Sequence, residues 1–235
     1  MQSQPIDFHP PATQADPILL PVTSTLFADR AERFASLAGQ HSLGDWLNFL
    51  ADLSRAQHEV LQGLPSLQLP DAKTLEQART HAMPPLNASS LPRPAAWRLA
   101  LQQLVQRLQA TAPESGQAAL TALLAASESE LEALADMLLK GEPDMARAAE
   151  LPFVAAALQI VFTQLASQLE ASHLHKLDAP GVCPCCGSLP VASVVRLGSA
   201  INNLRYLHCS LCNTEWNVPR ATCTACDTER RLPMP

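Results

Sequence analysis

All seven cysteines of this 235-residue chain fall between Cys183 and Cys226. Six of them make three pairs of one spacing: Cys183 with Cys186, Cys209 with Cys212, and Cys223 with Cys226. Two residues between thiolates let a single tight turn aim both sulfurs at one point. Two such turns joined by a hairpin supply a tetrahedral four-sulfur cage. Residues 187–208, between the first and second pairs, are of a length that one β-hairpin fills. The residues that follow the pairs, Gly187, Asn213 and Asp227, are types that tolerate the left-handed backbone of such turns. That conformation turns backbone N–H groups toward the sulfurs and stabilises thiolate charge. Cys185 lies outside the spacing and is expected to point outward as a spare thiol, or to substitute for a neighbour.

The competing readings are reduced cysteines buried as small hydrophobes, or a redox pair of the thioredoxin kind. A redox pair of that kind opens a helix within an α/β unit, and no such unit is visible. A tetrahedral thiolate site suits a rubredoxin-type iron or zinc, and the ligands alone do not separate the two. Four thiolates around a divalent ion leave a net charge of about −2. Arg196 and Arg205 either offset it or stand as solvated arginines on a strand edge. His208 is expected on the opposite side of its strand from Cys209 and not as a ligand. His173 and His175 are read as the basic end of a helix. Tyr206 and Trp216 are read as a small core for the ribbon. Cys223 and Cys226 have no partner pair before Pro235, so they engage another chain or belong to a site the sequence does not complete.

Upstream, residues 1–24 are rich in proline and polar groups and are expected to form a flexible arm. A helix follows Thr23 and Ser24, either of which suits a cap, with Leu26, Phe27, Phe34 and Leu37 on one face. A second helix from Ser42 carries Leu43, Trp46, Leu47, Leu50, Leu53, Val60 and Leu61. Prolines mark residues 64–92 as a connector with one short helix near Asp71–Ala82. Helices resume with Trp97, Leu101, Leu104, Val105 and Leu108 on one stripe. Ser127 and Glu130 form a capping box for another. A last long helix, about 152–175, is apolar round most of its circumference and is expected to run through the middle of the bundle. After Ala179 the pattern changes to "PVASVVRL", "LRYLHC" and "TEWNV", three short strands with "GSAINN" as a turn. Such a sheet is too small to hold itself together by burial alone.

The division is therefore an arm over 1–24, a helical domain over 25–178, a first metal module over 179–219, and the start of a second, incomplete one over 220–235. The fold class is α+β: an all-helical domain followed by a small rubredoxin-like or zinc-ribbon-like β module that is cut short at the C-terminus. The net charge of −6 and the placement of 5 basic and 3 acidic residues after position 180 fall short of a nucleic-acid footprint. No signal-like N-terminus and no apolar stretch near the ~20 residues of a membrane span are present, so a cytoplasmic location is expected.

The segments "CPCCGSLPVASVVRLG", "LRYLHCSLCNTEW" and "CTAC" resemble the formate dehydrogenase accessory protein FdhE family. In weaker form "RAERFASLA", "LGDWLNFLADLSRAQHEVL", "LPRPAAW" and "PFVAAALQIVFTQLASQL" do so too. The resemblance implies a non-enzymatic accessory factor, a maturation chaperone that contacts the catalytic subunit of respiratory formate dehydrogenase and carries rubredoxin-type iron. Carried over by position, the ligands are Cys183, Cys186, Cys209, Cys212, Cys223 and Cys226. Two departures stand out: Cys185 sits where the family pattern has no cysteine, and the family's downstream fourth pair is lacking. A zinc-ribbon interaction or nucleic-acid-binding module is the alternative.

Overall fold

A computed structural model describes residues 16–142, 144–196, 204–220 and 222–225. Its helices are α1 (Leu26–Ala38), α2 (Gly44–Gly63), α3 (Ala72–Thr80), α4 (Ala96–Leu108), α5 (Glu114–Ala125), α6 (Glu128–Lys140) and α7 (Leu151–Ser167). The strands are β1 (Ile18–Leu19), β2 (Pro190–Arg196), β3 (Leu204–Cys209) and β4 (Glu215–Val218). The order of helices followed by a cysteine-bearing antiparallel sheet makes the chain α+β, as its sequence indicates.

α7 is the hub because its sequence leaves it almost no polar face. Phe153, Val154, Leu158, Ile160, Val161, Phe162 and Leu165 are all buried. Each such side chain contributes roughly 1.5–3 kcal/mol when removed from water. The helix packs against α2, α4 and α6. α4 buries the expected stripe of Trp97, Leu101, Leu104, Val105 and Leu108. The capping box of α6 is formed: Ser127 Oγ accepts from the Glu130 N–H at 3.3 Å, and Glu130 Oε2 accepts from the Ser127 N–H at 2.8 Å. Asp71 caps α3 by accepting from the Thr74 N–H at 2.8 Å.

Several local expectations give way to tertiary packing. α1 turns Phe27, Ala31 and Ala38 inward and leaves Leu37 exposed, while α2 buries Phe49, Leu53, Val60 and Leu61 but exposes Leu43 and Trp46. Neither Thr23 nor Ser24 caps α1; the adjoining residue is Thr25, without a side-chain cap bond. α7 stops at Ser167 rather than near 175, and a short 3₁₀ turn follows at Ala171–His173.

The sheet order is β1-β4-β3-β2, all antiparallel. β1 corrects the expectation of a flexible arm for this part of 1–24. Ile18 pairs with Trp216 and Leu19 with Glu215, because the open side of β4 offers a row of backbone groups that an extended segment satisfies. Residues 1–15 and the "GSAINN" turn lie outside the described residues. Tyr206 and Trp216 are both buried but do not share a mini-core. Trp216 pairs with Leu207, and the alternation of side chains puts Tyr206 on the other face. Leu207, Cys209, Trp216 and Val218 join the same continuous core as the helices. The small sheet thus borrows the core of the helical body.

Candidate metal centre

The strand ladder between β2 and β3 brings the two knuckles face to face. Ser193 pairs with Leu207 and Pro190 with Cys209, so the turn before β2 and the turn after β3 meet at one end of the hairpin. There the sulfurs of Cys183, Cys186, Cys209 and Cys212 all lie within 4.8 Å of one another. Cys183 Sγ is 3.6 Å from Cys212 Sγ, and Cys186 Sγ is 3.4 Å from Cys209 Sγ. A disulfide would require about 2.05 Å. A tetrahedron with metal–sulfur bonds of about 2.3 Å has edges of about 3.8 Å, close to the observed spacing. All four thiols are buried.

Both knuckles repeat one backbone pattern. The Cys183 N–H donates to the Ser188 carbonyl at 2.9 Å, and the Cys209 N–H donates to the Thr214 carbonyl at 3.0 Å. Gly187 has φ of 79° and Asn213 has φ of 59°, the left-handed values their residue types suggest. In the second knuckle the N–H groups of Leu211 and Cys212 point at Cys209 Sγ, at 3.3 and 3.4 Å.

The electrostatics favour a cation. Burial pushes the Cys183 and Cys212 thiols well up from the ordinary thiol range. Burial pushes Cys186 up as well, but hydrogen bonds from Cys183, Cys209 and Cys212 outweigh it and hold Cys186 well down. Without a counter-ion the cluster therefore keeps protons, since several thiolates crowded in a low-dielectric site repel one another. A divalent ion would take the place of those protons, and the donor set, spacing and burial all fit one.

The other candidates separate clearly. Cys185 is fully buried instead of pointing outward. The Leu86 N–H donates to the Cys185 carbonyl at 2.9 Å and the Ala88 N–H to the Cys186 carbonyl at 2.9 Å, so the connector lies along the knuckle. Cys223 is exposed and is not one of the four clustered sulfurs, and Cys226 lies outside the described residues. The stretch before Cys223 is held near the sheet: Arg205 donates to the carbonyls of Pro219 at 3.1 Å and Thr222 at 2.8 Å. A Cβ on Gly181 would lie 2.1 Å from the Thr224 carbonyl oxygen, which explains the glycine there.

Arg205 also donates to Ser193 Oγ at 2.8 Å, while Arg196 meets Glu215 at 2.5 Å and lies over the Tyr206 ring. Both arginines are engaged away from the sulfurs. His208 bonds to Asn213 Oδ1 at 3.0 Å and to Glu215 Oε1 at 3.5 Å, consistent with a place off the metal site. His173 ends the short 3₁₀ turn rather than the long helix, and His175 lies beyond it. His173 Nδ1 accepts from the Glu170 N–H, and both ring nitrogens of His175 are buried without a hydrogen-bond partner among the described residues.

Sequence reasoning missed the side chains that fix the second knuckle to the body. Asn213 Nδ2 donates to Thr163 Oγ1 of α7 at 2.8 Å, and Gln159 Nε2 of α7 donates to the Ser210 carbonyl at 2.7 Å. Gln159, which breaks the apolar run of α7, was the visible signal for such a contact.

A helical body whose core runs without a break into a two-knuckle, four-cysteine sheet defines a class of metal-knuckle protein with an all-α scaffold. Family models described as "FdhE, N-terminal" and "FdhE, central domain" match residues 15–179 and 182–220. The chain belongs to the FdhE family. It is 40% identical over 217 residues to the "Protein FdhE homolog" of Serratia proteamaculans, covering 92% of this chain and 70% of that protein. It is 38% identical over 221 residues to that of Pseudomonas aeruginosa, covering 94% and 72%. The crystal structure of the FdhE protein from Pseudomonas aeruginosa superposes with a TM-score of 0.81 at 36% identity, covering 92% of this chain and 74% of that one. Among the described residues no helix is long and apolar enough to cross a membrane.

Proposed function

We propose that this chain is a cytoplasmic accessory factor in the maturation of formate dehydrogenase, acting without catalysis of its own by binding the catalytic subunit of that enzyme. Cys183, Cys186, Cys209 and Cys212 hold one rubredoxin-type iron in this reading. Cys223 and Cys226 belong to a second centre that begins at residue 220. The observation that carries the proposal is the preassembled, buried four-sulfur cage set into the core of a family-typical body. A bound iron supplies a one-electron centre and ties the hairpin to the knuckles. The residues of the chain shape the thiolate pocket, exclude water from it and present the helical body to the partner.

The donor set accepts zinc equally well, which makes the module a purely structural recognition surface. Metal analysis of protein prepared without oxygen separates the two: a red, iron-containing protein supports the redox reading, and a colourless zinc protein supports the structural one. Co-purification with a formate dehydrogenase catalytic subunit supports the partner assignment. Full enzyme activity in a strain lacking this chain would end it.

A further inference from the structure

β2 stands at the end of the sheet, with β3 on one side and, among the described residues, no strand on the other. Val191 to Arg196 are all exposed, and Leu189 and Val191 stand 68% and 69% open to solvent. The register with β3 shifts between Pro190 and Ala192, so Val191 is a bulge and the regular edge runs from Ala192 to Arg196. That is an ordinary length for a strand to pair along. Edge strands are commonly protected by charges or prolines that discourage pairing. Here Pro190 lies outside the regular edge, and the one ionisable residue of β2, Arg196, is taken by Glu215.

Where this edge meets the knuckles it opens on a groove of about 440 Å³. The walls come from the end of α6, from α7 and from both knuckles, and Leu138, Leu158, Gly187, Leu189 and Leu211 make them mainly apolar. Leu189 directly precedes β2, so groove and edge are continuous. A strand edge with unpaired N–H and C=O groups selects an extended chain, and a pocket beside it selects one of that chain's side chains. The sheet already takes an extended segment at its opposite end, where Ile18 and Leu19 pair with β4 and the Pro17 carbonyl accepts from the Asn217 N–H at 3.0 Å. With Arg196 engaged, the β2 edge suits an uncharged strand. A second copy of β2 would supply a strand, but from Pro190 to Arg196 it offers the groove no apolar side chain larger than valine.

We propose that β2 and the groove form one docking site for an extended, uncharged segment of a partner protein, which adds a strand to the sheet and seats a large apolar side chain between α6, α7 and the knuckles. The proposal rests on the partner reading above and deepens it by naming the surface and the form of the segment received. A side chain in the groove lies against Gly187 and Leu211, neighbours in sequence of the ligands Cys186 and Cys212, so the bound partner reaches the wall of the metal centre.

The test uses the metal-loaded whole chain, with the purified catalytic subunit of a formate dehydrogenase as the probe. Affinity is measured for wild type, Val194→Lys, Val194→Thr and Leu189→Lys, and hydrogen exchange is read by segment in the free and bound wild type. Val194 and Leu189 are both exposed, so the variants are expected to keep the fold and metal content of wild type. Expected is a loss of affinity of roughly tenfold or more in each lysine variant, because an apolar strand laid over the lysine leaves a charge without a partner. Val194→Thr keeps most of the affinity, since the edge is recognised through its main chain, and binding slows exchange across residues 191–196. Wild-type affinity in either lysine variant, a Val194→Thr protein as weak as Val194→Lys, or binding without protection of 191–196 would overturn the proposal and leave the partner reading standing. Self-association of the chain that Val194→Lys abolishes would give the edge to a second copy and overturn it too. A catalytic subunit that does not bind wild type at all would overturn the partner reading, and the proposal with it.

Discussion

The two knuckles have the same local backbone and are held by the helical body in different ways. The first is gripped through its main chain, by the N–H groups of Leu86 and Ala88 on the carbonyls of Cys185 and Cys186. The second is gripped through side chains, by Thr163, Gln159 and Arg30 on Asn213 and Ser210. A main-chain clamp is indifferent to residue type, whereas a side-chain clamp depends on particular groups. The first knuckle should therefore tolerate substitution around it, and the second should not.

Where the knuckles are equivalent, the largest effects should be equal. Cys183→Ser and Cys209→Ser each remove one of four ligands from a type of site worth roughly 10–16 kcal/mol of apparent binding energy in zinc-finger peptides. Both are expected to abolish stoichiometric metal, measured by elemental analysis after desalting, and an unequal loss would break the symmetry. Cys185→Ser should keep its metal, and the protein should lose only roughly 1–3 kcal/mol for a hydroxyl in a buried site.

Differences between the knuckles should appear next. Asn213→Gly preserves the left-handed turn but removes the bonds to Thr163 and Arg30, so a loss of roughly 1–3 kcal/mol is expected in thermal or denaturant unfolding. Gly187→Ala in the first knuckle meets nothing nearer than Pro84 Cγ at 3.5 Å. Its expected effect is backbone strain alone, roughly 1–2 kcal/mol. A Gly187→Ala loss exceeding that of Asn213→Gly would reverse the comparison.

The smallest effect is one of pH. Burial pushes the Glu215 carboxyl up, but hydrogen bonds from His208 and Arg196 outweigh it and hold the group below the ordinary carboxylate range. A carboxylate depressed in the folded state stabilises fully above its unfolded pKa, and that contribution fades as the pH falls through the lower folded value. In the metal-free protein, the stability gap between wild type and Glu215→Gln should thus be present at neutral pH and close in acid below the ordinary carboxylate range.

Most of the centre was legible in the sequence because its parts are local. Four ligands at fixed spacing, Gly187 and Asn213 at the turns, and strands of β-branched and aromatic residues all announce themselves within a few positions. The capping box at Ser127 and the stripe of α4 were legible for the same reason. What stayed hidden depends on backbone meeting backbone across the chain. Ile18 and Leu19 look like any extended segment after prolines, and nothing in "PPLNA" reveals that its N–H groups bond to Cys185 and Cys186. Cys185 was misjudged on that account: spacing set it outside the pairs and suggested an outward thiol or a substitute for a neighbour, but only the connector's path shows that it is covered. The stripes of α1 and α2 failed near their shared loop, where Leu37, Leu43 and Trp46 stay exposed although they keep the apolar spacing.

The most direct measurement is hydrogen exchange on the whole chain, metal-loaded and after chelation, resolved by segment. Chelation is expected to raise exchange across the knuckles and β2–β4 while α4 and α7 keep their protection. Unchanged exchange in the knuckles after complete removal of metal would contradict a site that orders this part of the chain.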